Sequence, residues 1–497
     1  MRFHALHWAR ADAAKLGRTV NSGARPLFKW GRRPDTAGMS MIIYLALMAA
    51  AVVALRHGPG QALLRVYLPV LLLLPDAYRA ITPGLPDPSF PQAAILPIFF
   101  MALIRYGPSW KLVWMDGLML LFAVWVAYSD YIARGYADAQ NLMFAMITSV
   151  FAPYVLGRLV VPAERLDVAL AKRFVMLVFG VALVGLWEFR FGFNPFLATL
   201  NPFFPGQAGG WVTTFRHGVA RVAGPYSHAI LAGIMMAVAY RLQSWLQGAG
   251  HWEPRFARLP WLAWPKARVI TAVLLFGLLM TVARGPWIGA LIGGGLAVVG
   301  QASNRRRALW ISAAVIGVGG SLGALFLASY LDIQPGAAIT TSQESALYRK
   351  VLFEEYLGIA LDHAWFGWGV TTWPKVLGME SIDNYFLLLS LMHGVPAMLM
   401  LVLMLLGTSW QCVRRGLAEP AKSGSPAFAF AGIFITIFVS LATVFLGGQV
   451  LPVLFLILGW AQGWLQQSSP ISGSAPDSTV EATSSAAPQT GFRHIIH

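Results

Sequence analysis

Long apolar runs separated by short polar connections make up most of the chain. They fall at 41–55, 62–74, 93–103, 113–132, 142–161, 174–187, 230–246, 269–282, 286–299, 309–330, 385–406, 427–446 and 451–465. A membrane-spanning helix needs about 20 apolar residues, with a range of roughly 17–25. The shorter runs must therefore borrow length from their flanks. The polar stretch 340–384 is the longest interruption that still carries a helical pattern. Thr341-Ser342-Gln343-Glu344 reads as a capping box. Behind it Tyr348, Leu352, Tyr356 and Ile359 share one helical face, and Arg349, Lys350, Glu354 and Glu355 take the rest. His363-Ala364-Trp365-Phe366-Gly367-Trp368-Gly369 ends that helix, and Ser381-Ile382-Asp383-Asn384 opens the next apolar run. The pattern predicts an amphipathic helix that roofs a cavity in a membrane protein.

Composition strengthens the membrane reading. The 497 residues are 57% hydrophobic and 12% charged, where a soluble domain carries about 25% charged residues. The expected fold class is an all-α polytopic membrane protein. One cysteine, Cys412, rules out an intramolecular disulfide and a cysteine-rich metal site. The first 38 residues are basic and lack the short apolar core of a cleavable signal.

The net charge of +16 does not point to nucleic acid, because Lys and Arg collect in the cytoplasmic loops of membrane proteins. Arg255, Arg258, Lys266 and Arg268 mark one inside loop. Arg305-Arg306-Arg307 mark a second, and Arg414, Arg415 and Lys422 a third. Arg158, Arg165, Lys172 and Arg173 agree with this. The segments 191–227 and 340–384 and the turn at Arg284 are then outside. Thirteen full crossings would put the basic N-terminus outside as well, so one run before Leu103 must cross incompletely or merge with a neighbour. About 12 transmembrane helices are expected. Residues 1–38 form a basic cytoplasmic segment, 39–466 the membrane domain with a large outside loop at about 331–383 containing short helices, and 467–497 a disordered tail rich in Ser, Ala, Pro and Thr.

With cations gathered inside, the outside arginines are the informative ones. Arg284-Gly285-Pro286 occupies a tight turn, with Pro286 suited to the first position of a helix. A helix N-terminus and a guanidinium there would face the same anion. Arg221-Val222-Ala223-Gly224-Pro225 repeats the arrangement, and Arg216 and Arg349 complete the set. Arginine suits phosphate because its planar fork binds two oxygens at once. The competing reading is that these arginines anchor to lipid headgroups. Asp383 likewise has two readings: a helix N-cap, or a carboxylate that takes a proton from a sugar hydroxyl. Glu188 reads as an ion-pair partner of Arg190. His228, His363 and His393 lack metal-ligand spacing, and no metal site or cofactor is expected. P-loop and nucleophile-elbow motifs are absent from the sequence.

The pieces Arg221…Gly224-Pro225-Tyr226-Ser227-His228, Thr281-Val282-Ala283-Arg284-Gly285, Arg349 and His363 to Gly369 follow one another in order. Asp383-Asn384 comes next, and nine residues separate it from Gly394. Together they resemble the O-antigen ligase and O-antigen/exopolysaccharide polymerase superfamily over roughly 221–397. Asp383 stands where the ligases have histidine. The resemblance implies a metal-independent glycosyltransferase of the bacterial inner membrane. Such an enzyme takes glycan from a polyprenyl-diphosphate-linked oligosaccharide at the periplasmic face and passes it to an acceptor glycan. It also implies catalytic roles for Arg284 and Asp383, and substrate binding by Arg216, Arg221, His228, Arg349 and Asn384. Partners would be membrane lipid and a chain-length regulator, with no nucleic acid. The replaced histidine favours a polymerase over a ligase. A lipid-linked glycan transporter is the rival class, but it would place charges near the bilayer midplane and show paired halves.

Overall fold

Apolar runs become helices here because a bilayer leaves the backbone no water to bond, so each spanning segment must satisfy its own N–H and C=O groups. The structure, a computed structural model, describes residues 40–81, 84–208, 211–216, 218–256, 264–331, 341–379, 381–420 and 424–467. The basic N-terminal segment and the C-terminal tail fall outside them. The helices in chain order are α1 (Ile43–His57), α2 (Pro59–Leu73), α3 (Phe90–Tyr106), α4 (Trp114–Arg134), α5 (Tyr136–Ala163), α6 (Asp167–Phe191) and the short α7 (Pro195–Leu200). A two-residue-per-strand hairpin follows, β1 (Phe215–Arg216) with β2 (Val219–Ala220). The remaining helices are α8 (Ala229–Gly248), α9 (Lys266–Met280), α10 (Arg284–Gln301), α11 (Arg305–Leu331), α12 (Thr341–Asp362), α13 (Tyr385–His393), α14 (Val395–Ala418), α15 (Ala427–Leu441) and α16 (Val450–Gln466).

Among the described residues, seven helices are long and apolar enough to cross a membrane, and α1, α2, α15 and α16 are shorter apolar helices. The chain is an all-α polytopic membrane protein. The first two apolar runs are separate helices, broken at Gly58 with φ +87°. The expected run 385–406 is split at Gly394, where φ is +84° and a Cβ would collide with the Trp365 carbonyl. The expected run 427–446 stops being helical at Leu441, so 442–449 is a connection rather than part of a span.

Helices in lipid gain little from hydrophobic burial against one another and rely on close packing and hydrogen bonds. Gly285, Gly289 and Gly293 recur every four residues on α10; the last two seat that helix on α15, and Gly285 meets Thr443 just beyond its end. A Cβ at Gly289 would lie 2.6 Å from the Thr436 carbonyl, and Thr436 Oγ1 donates to the Gly289 carbonyl at 3.0 Å. Gly157 on α5 and Gly459 on α16 form a second such seam.

Contacts between remote segments fix which helix ends lie together. At one end Gln449 Nε2 donates to the carbonyls of Leu74 (3.0 Å) and Pro225 (2.8 Å). At the other, Trp460 Nε1 donates to Asp167 Oδ1 at 2.6 Å, and Arg305 Nη1 donates to the carbonyls of Gly416 and Glu419, both at 2.8 Å. Arg158, Lys172 and Lys266 gather at this second end with Asp116 and Glu253. The expected amphipathic helix is α12. Leu352, Tyr356 and Ala360 are buried against Ile382, Leu387 and Leu391, with Tyr348 and Ile359 partly buried alongside. Glu354 and Glu355 are exposed. The capping-box side chains Thr341 and Glu344 lie outside the described residues.

The charge asymmetry between the two ends leads to a topology test. A reporter inserted at Lys350 is expected to read periplasmic, and one fused after Gln467 cytoplasmic. A cytoplasmic signal at Lys350 would place the α12 end on the wrong face.

Candidate active site

The site is built where α9 stops and α10 starts. Between Met280 and Arg284 the chain turns through Thr281-Val282-Ala283, and Val282 has φ +47°. A β-branched residue there is strained and must be held by its surroundings. The last carbonyls of a helix lack intrahelical donors and carry partial negative charge. Two arginines answer that need: Arg221 Nε donates to the Thr281 carbonyl and Arg216 Nη1 to the Val282 carbonyl, both at 3.2 Å. Val222 N donates to the Met280 carbonyl, also at 3.2 Å. Burial, followed by repulsion from Arg216, lowers the Arg221 pKa from its ordinary value, yet a guanidinium remains charged near neutral pH.

The loop bearing Arg221 is itself fastened by Glu188, which is fully buried near the end of α6. Its Oε2 accepts from Gly224 N (2.8 Å) and Ala223 N (3.2 Å). Its Oε1 accepts from Asn194 Nδ2 (3.1 Å) and Thr213 Oγ1 (3.3 Å). This corrects the expected pairing with Arg190. Side chains two apart on a helix do not face each other, and Arg190 lies over the Phe191 ring instead.

Arg284 and Arg349 differ from the other two arginines. Both are exposed, and among the described residues neither makes a hydrogen bond or an ion pair. Arg349 and Asp383 line one pocket of about 110 Å³ with Leu352, Phe353, Asn384 and Ala442. Gly285, next to Arg284, lies so close to Thr443 that a Cβ would collide with its hydroxyl. The Ala442-Thr443 pair therefore joins the start of α10 to the Asp383 pocket. Two residues on, Phe445 lies edge-on to the His228 ring with centroids 6.4 Å apart.

Asp383 is exposed, and its Oδ1 accepts from Ser381 Oγ at 3.4 Å. It is not the helix cap. Asn384 caps α13, its Oδ1 accepting from Phe386 N (3.0 Å) and Leu387 N (3.3 Å). His228 caps α8 by accepting from Ile230 N at 3.2 Å through Nδ1. Burial and then Arg221 lower the His228 pKa, Asp383 opposes them, and Arg216 adds to the lowering. The ring is neutral near pH 7 and stands within electrostatic reach of Asp383 and both arginines.

The structure thus brings the candidates into two adjoining groups. Arg349, Asp383 and Asn384 share a pocket with Ala442, whose neighbour Thr443 meets Gly285 beside Arg284; Arg216 and Arg221 hold the Val282 turn, and His228 lies against Phe445. Sequence reading missed the 442–449 connection, although Gly447-Gly448-Gln449 interrupts the apolar pattern there. It also missed Arg241, which is buried inside α8 about 18 Å along the helix from Ala229. Its guanidinium stacks over Tyr240 and packs at Gly294, too far along α8 to join the site.

Arg349 and Asp383 thus share one pocket, with the other candidate arginines on segments that pack near it. A family model described as O-antigen ligase matches residues 269–402. The match supports the O-antigen ligase and polymerase superfamily, and with it a glycan-processing membrane enzyme. It contains Arg284, Arg349, Asp383 and Asn384, and leaves out Arg216, Arg221 and His228. No curated protein matches the chain.

Two stability tests follow from the caps. Asn384→Ala is expected to cost roughly 1 kcal/mol of α13 stability, read as faster hydrogen exchange at Phe386 and Leu387, whereas Asp383→Ala leaves those amides unchanged. Equal effects of the two variants would contradict the assignment of the cap to Asn384. The second test uses His228, whose folded pKa is depressed. Its cap contributes fully above the ordinary value of about 6.5 and is lost as pH falls through the folded value, because protonation removes the Nδ1 acceptor. Protection of Ile230, taken against the intrinsic exchange rate at each pH, is therefore expected to fall in acid for the native chain and to stay constant in His228→Asn.

Proposed function

We propose that this protein joins polyprenyl-diphosphate-linked oligosaccharide repeat units at the periplasmic face of the bacterial inner membrane, as an exopolysaccharide or O-antigen polymerase. The observation that carries the proposal is the pocket that Arg349 and Asp383 line together with Ala442, next to the Thr443 that packs on Gly285 beside Arg284, with neither arginine partnered among the described residues. A doubly charged leaving group needs such fixed cations, and the free N–H groups at the start of α10 add to them.

The transfer is a single in-line displacement. The acceptor hydroxyl oxygen bonds to the anomeric carbon as the bond from that carbon to the carrier diphosphate breaks. The electron pair leaves with the diphosphate, whose growing charge Arg284 and Arg349 offset. The hydroxyl proton passes to the Asp383 carboxylate, which also orients the acceptor. One displacement inverts the configuration and requires no metal. Arg216 and Arg221 hold the turn that presents Arg284 and contribute positive potential from behind it. Membrane lipid supports the carrier chain, and a chain-length regulator fits a polymerase as a protein partner. The family match is equally compatible with an O-antigen ligase that transfers glycan to lipid A core. Asp383 in place of the ligases' histidine favours polymerisation.

The test is glycan chain length on gels from the native host, with membrane levels checked by blot. Arg284→Ala is expected to lower the rate about a hundredfold, or roughly 3 kcal/mol. Arg284→Lys is also impaired, because an ammonium cannot reproduce the two-oxygen fork. Asp383→Asn removes the base while Asn384 still caps α13, so it too is expected to be inactive at normal expression. Full-length polymer from Arg284→Ala or from Asp383→Asn would sink the mechanism.

A further inference from the structure

The turn from His363 to Gly369 takes no part in the site, yet it is among the most tightly held segments outside the helices. Its backbone is bonded to the end of α13: Trp368 N donates to the Leu391 carbonyl (2.8 Å) and Gly369 N to the Met392 carbonyl (2.9 Å). Val395 N donates to the Ala364 carbonyl at 2.7 Å. Phe366 stacks on Trp125 of α4 with ring centroids 4.9 Å apart. Gly369 has φ +89°, and a Cβ there would lie 2.8 Å from Ala133 Cβ on α4.

At the centre of this contact is Asp130 on α4, fully buried. Its Oδ1 accepts from Val370 N at 3.0 Å and from Arg134 Nε at 2.8 Å, and its Oδ2 accepts from Arg134 Nη2. A buried carboxylate is tolerated only when its acceptors are filled. Here Arg134 neutralises it, and Val370 is the donor that comes from outside α4.

Farther along, α12 is held to α13: Leu352 and Tyr356 are buried against Ile382, Leu387 and Leu391, and Tyr348 Oη donates to the Ser381 carbonyl at 3.3 Å. The helix follows α11, whose membrane-crossing window, Arg305–Phe326, is 0% buried. Arg349 lies 13 residues before Asp362, or about 20 Å from the turn. A tilt of roughly 10° at the turn would shift Arg349 by about 3 Å at that distance, far more than a reacting geometry tolerates. We propose that Asp130 is a positioning residue: with Arg134 it clamps the 363–370 turn onto α4, and so fixes where α12, with Arg349 on it, stands over the helix bundle. The functional meaning of the clamp rests on the transfer reading above, whereas its existence does not.

The clamp is tested by spin-label distances in the full chain, reconstituted in lipid nanodiscs, with Cys412→Ser as background. Labels go on Glu355→Cys of α12 and Thr199→Cys of α7, both exposed positions. The clamped chain is expected to give one narrow distance distribution. Asp130→Ala loses the narrow peak, while Asp130→Asn, which keeps an acceptor for Val370 N, retains it. Gly369→Ala, whose Cβ would press on Ala133 Cβ and reach the Arg134 stem, displaces the turn with both charges kept and is expected to behave as Asp130→Ala; it decides the matter if Asp130→Ala does not accumulate. A narrow peak in both alanine variants would overturn the proposal. So would its loss in Asp130→Asn, since charge alone would then be what matters. The measurement needs no glycan, so it stands or falls separately from the transfer reaction.

Discussion

Hydrocarbon offers no hydrogen bonds, so every interruption of a helix in this bundle must be repaired by the protein. That constraint shapes the site. The break between α9 and α10 leaves terminal carbonyls, and Arg216 and Arg221 supply donors to two of them. The loop that delivers those arginines has its own free N–H groups, and Glu188 accepts from two of them. A strained Val282 is the result, and beyond it Arg284 emerges with no partner among the described residues. Arginines satisfied by backbone thus hold the turn from which an arginine without a partner among the described residues emerges.

The hydropathy pattern made the fold class readable because lipid forces apolar runs into helices. The buried face of α12 could be read residue by residue, since Tyr348, Leu352, Tyr356 and Ile359 recur with helical period. The start of α10 was legible from the Gly-Pro that follows Arg284. What stayed hidden depends on segments far apart in the chain. The 442–449 connection sits in apolar sequence that carries no period. The Asp383-Asn384 pair offers two cap-forming residues in a row, and only geometry shows that Asn384 takes the role. Glu188 two residues from Arg190 suggests an ion pair on paper, but the helix turns them apart. Asp130 finds Val370 across 240 residues, a pairing that no local pattern announces.

The architecture separates a rigid half of the site from a suspended one. The Val282 turn and the α10 N-terminus are fixed by glycine seams that bring α10 and α15 backbones into contact. Arg349 is carried by a helix that packs through a small apolar cluster and is held at the 363–370 turn. Under the transfer proposed above, a glycan enters between a wall fixed by helix seams and one held by a turn and a small apolar cluster.

Asn384 secures α13 while its neighbour Asp383 remains exposed and free of that duty. Under the transfer proposed above, adjacent positions therefore divide folding from chemistry, and the reacting group can change without disturbing the cap of the helix behind it.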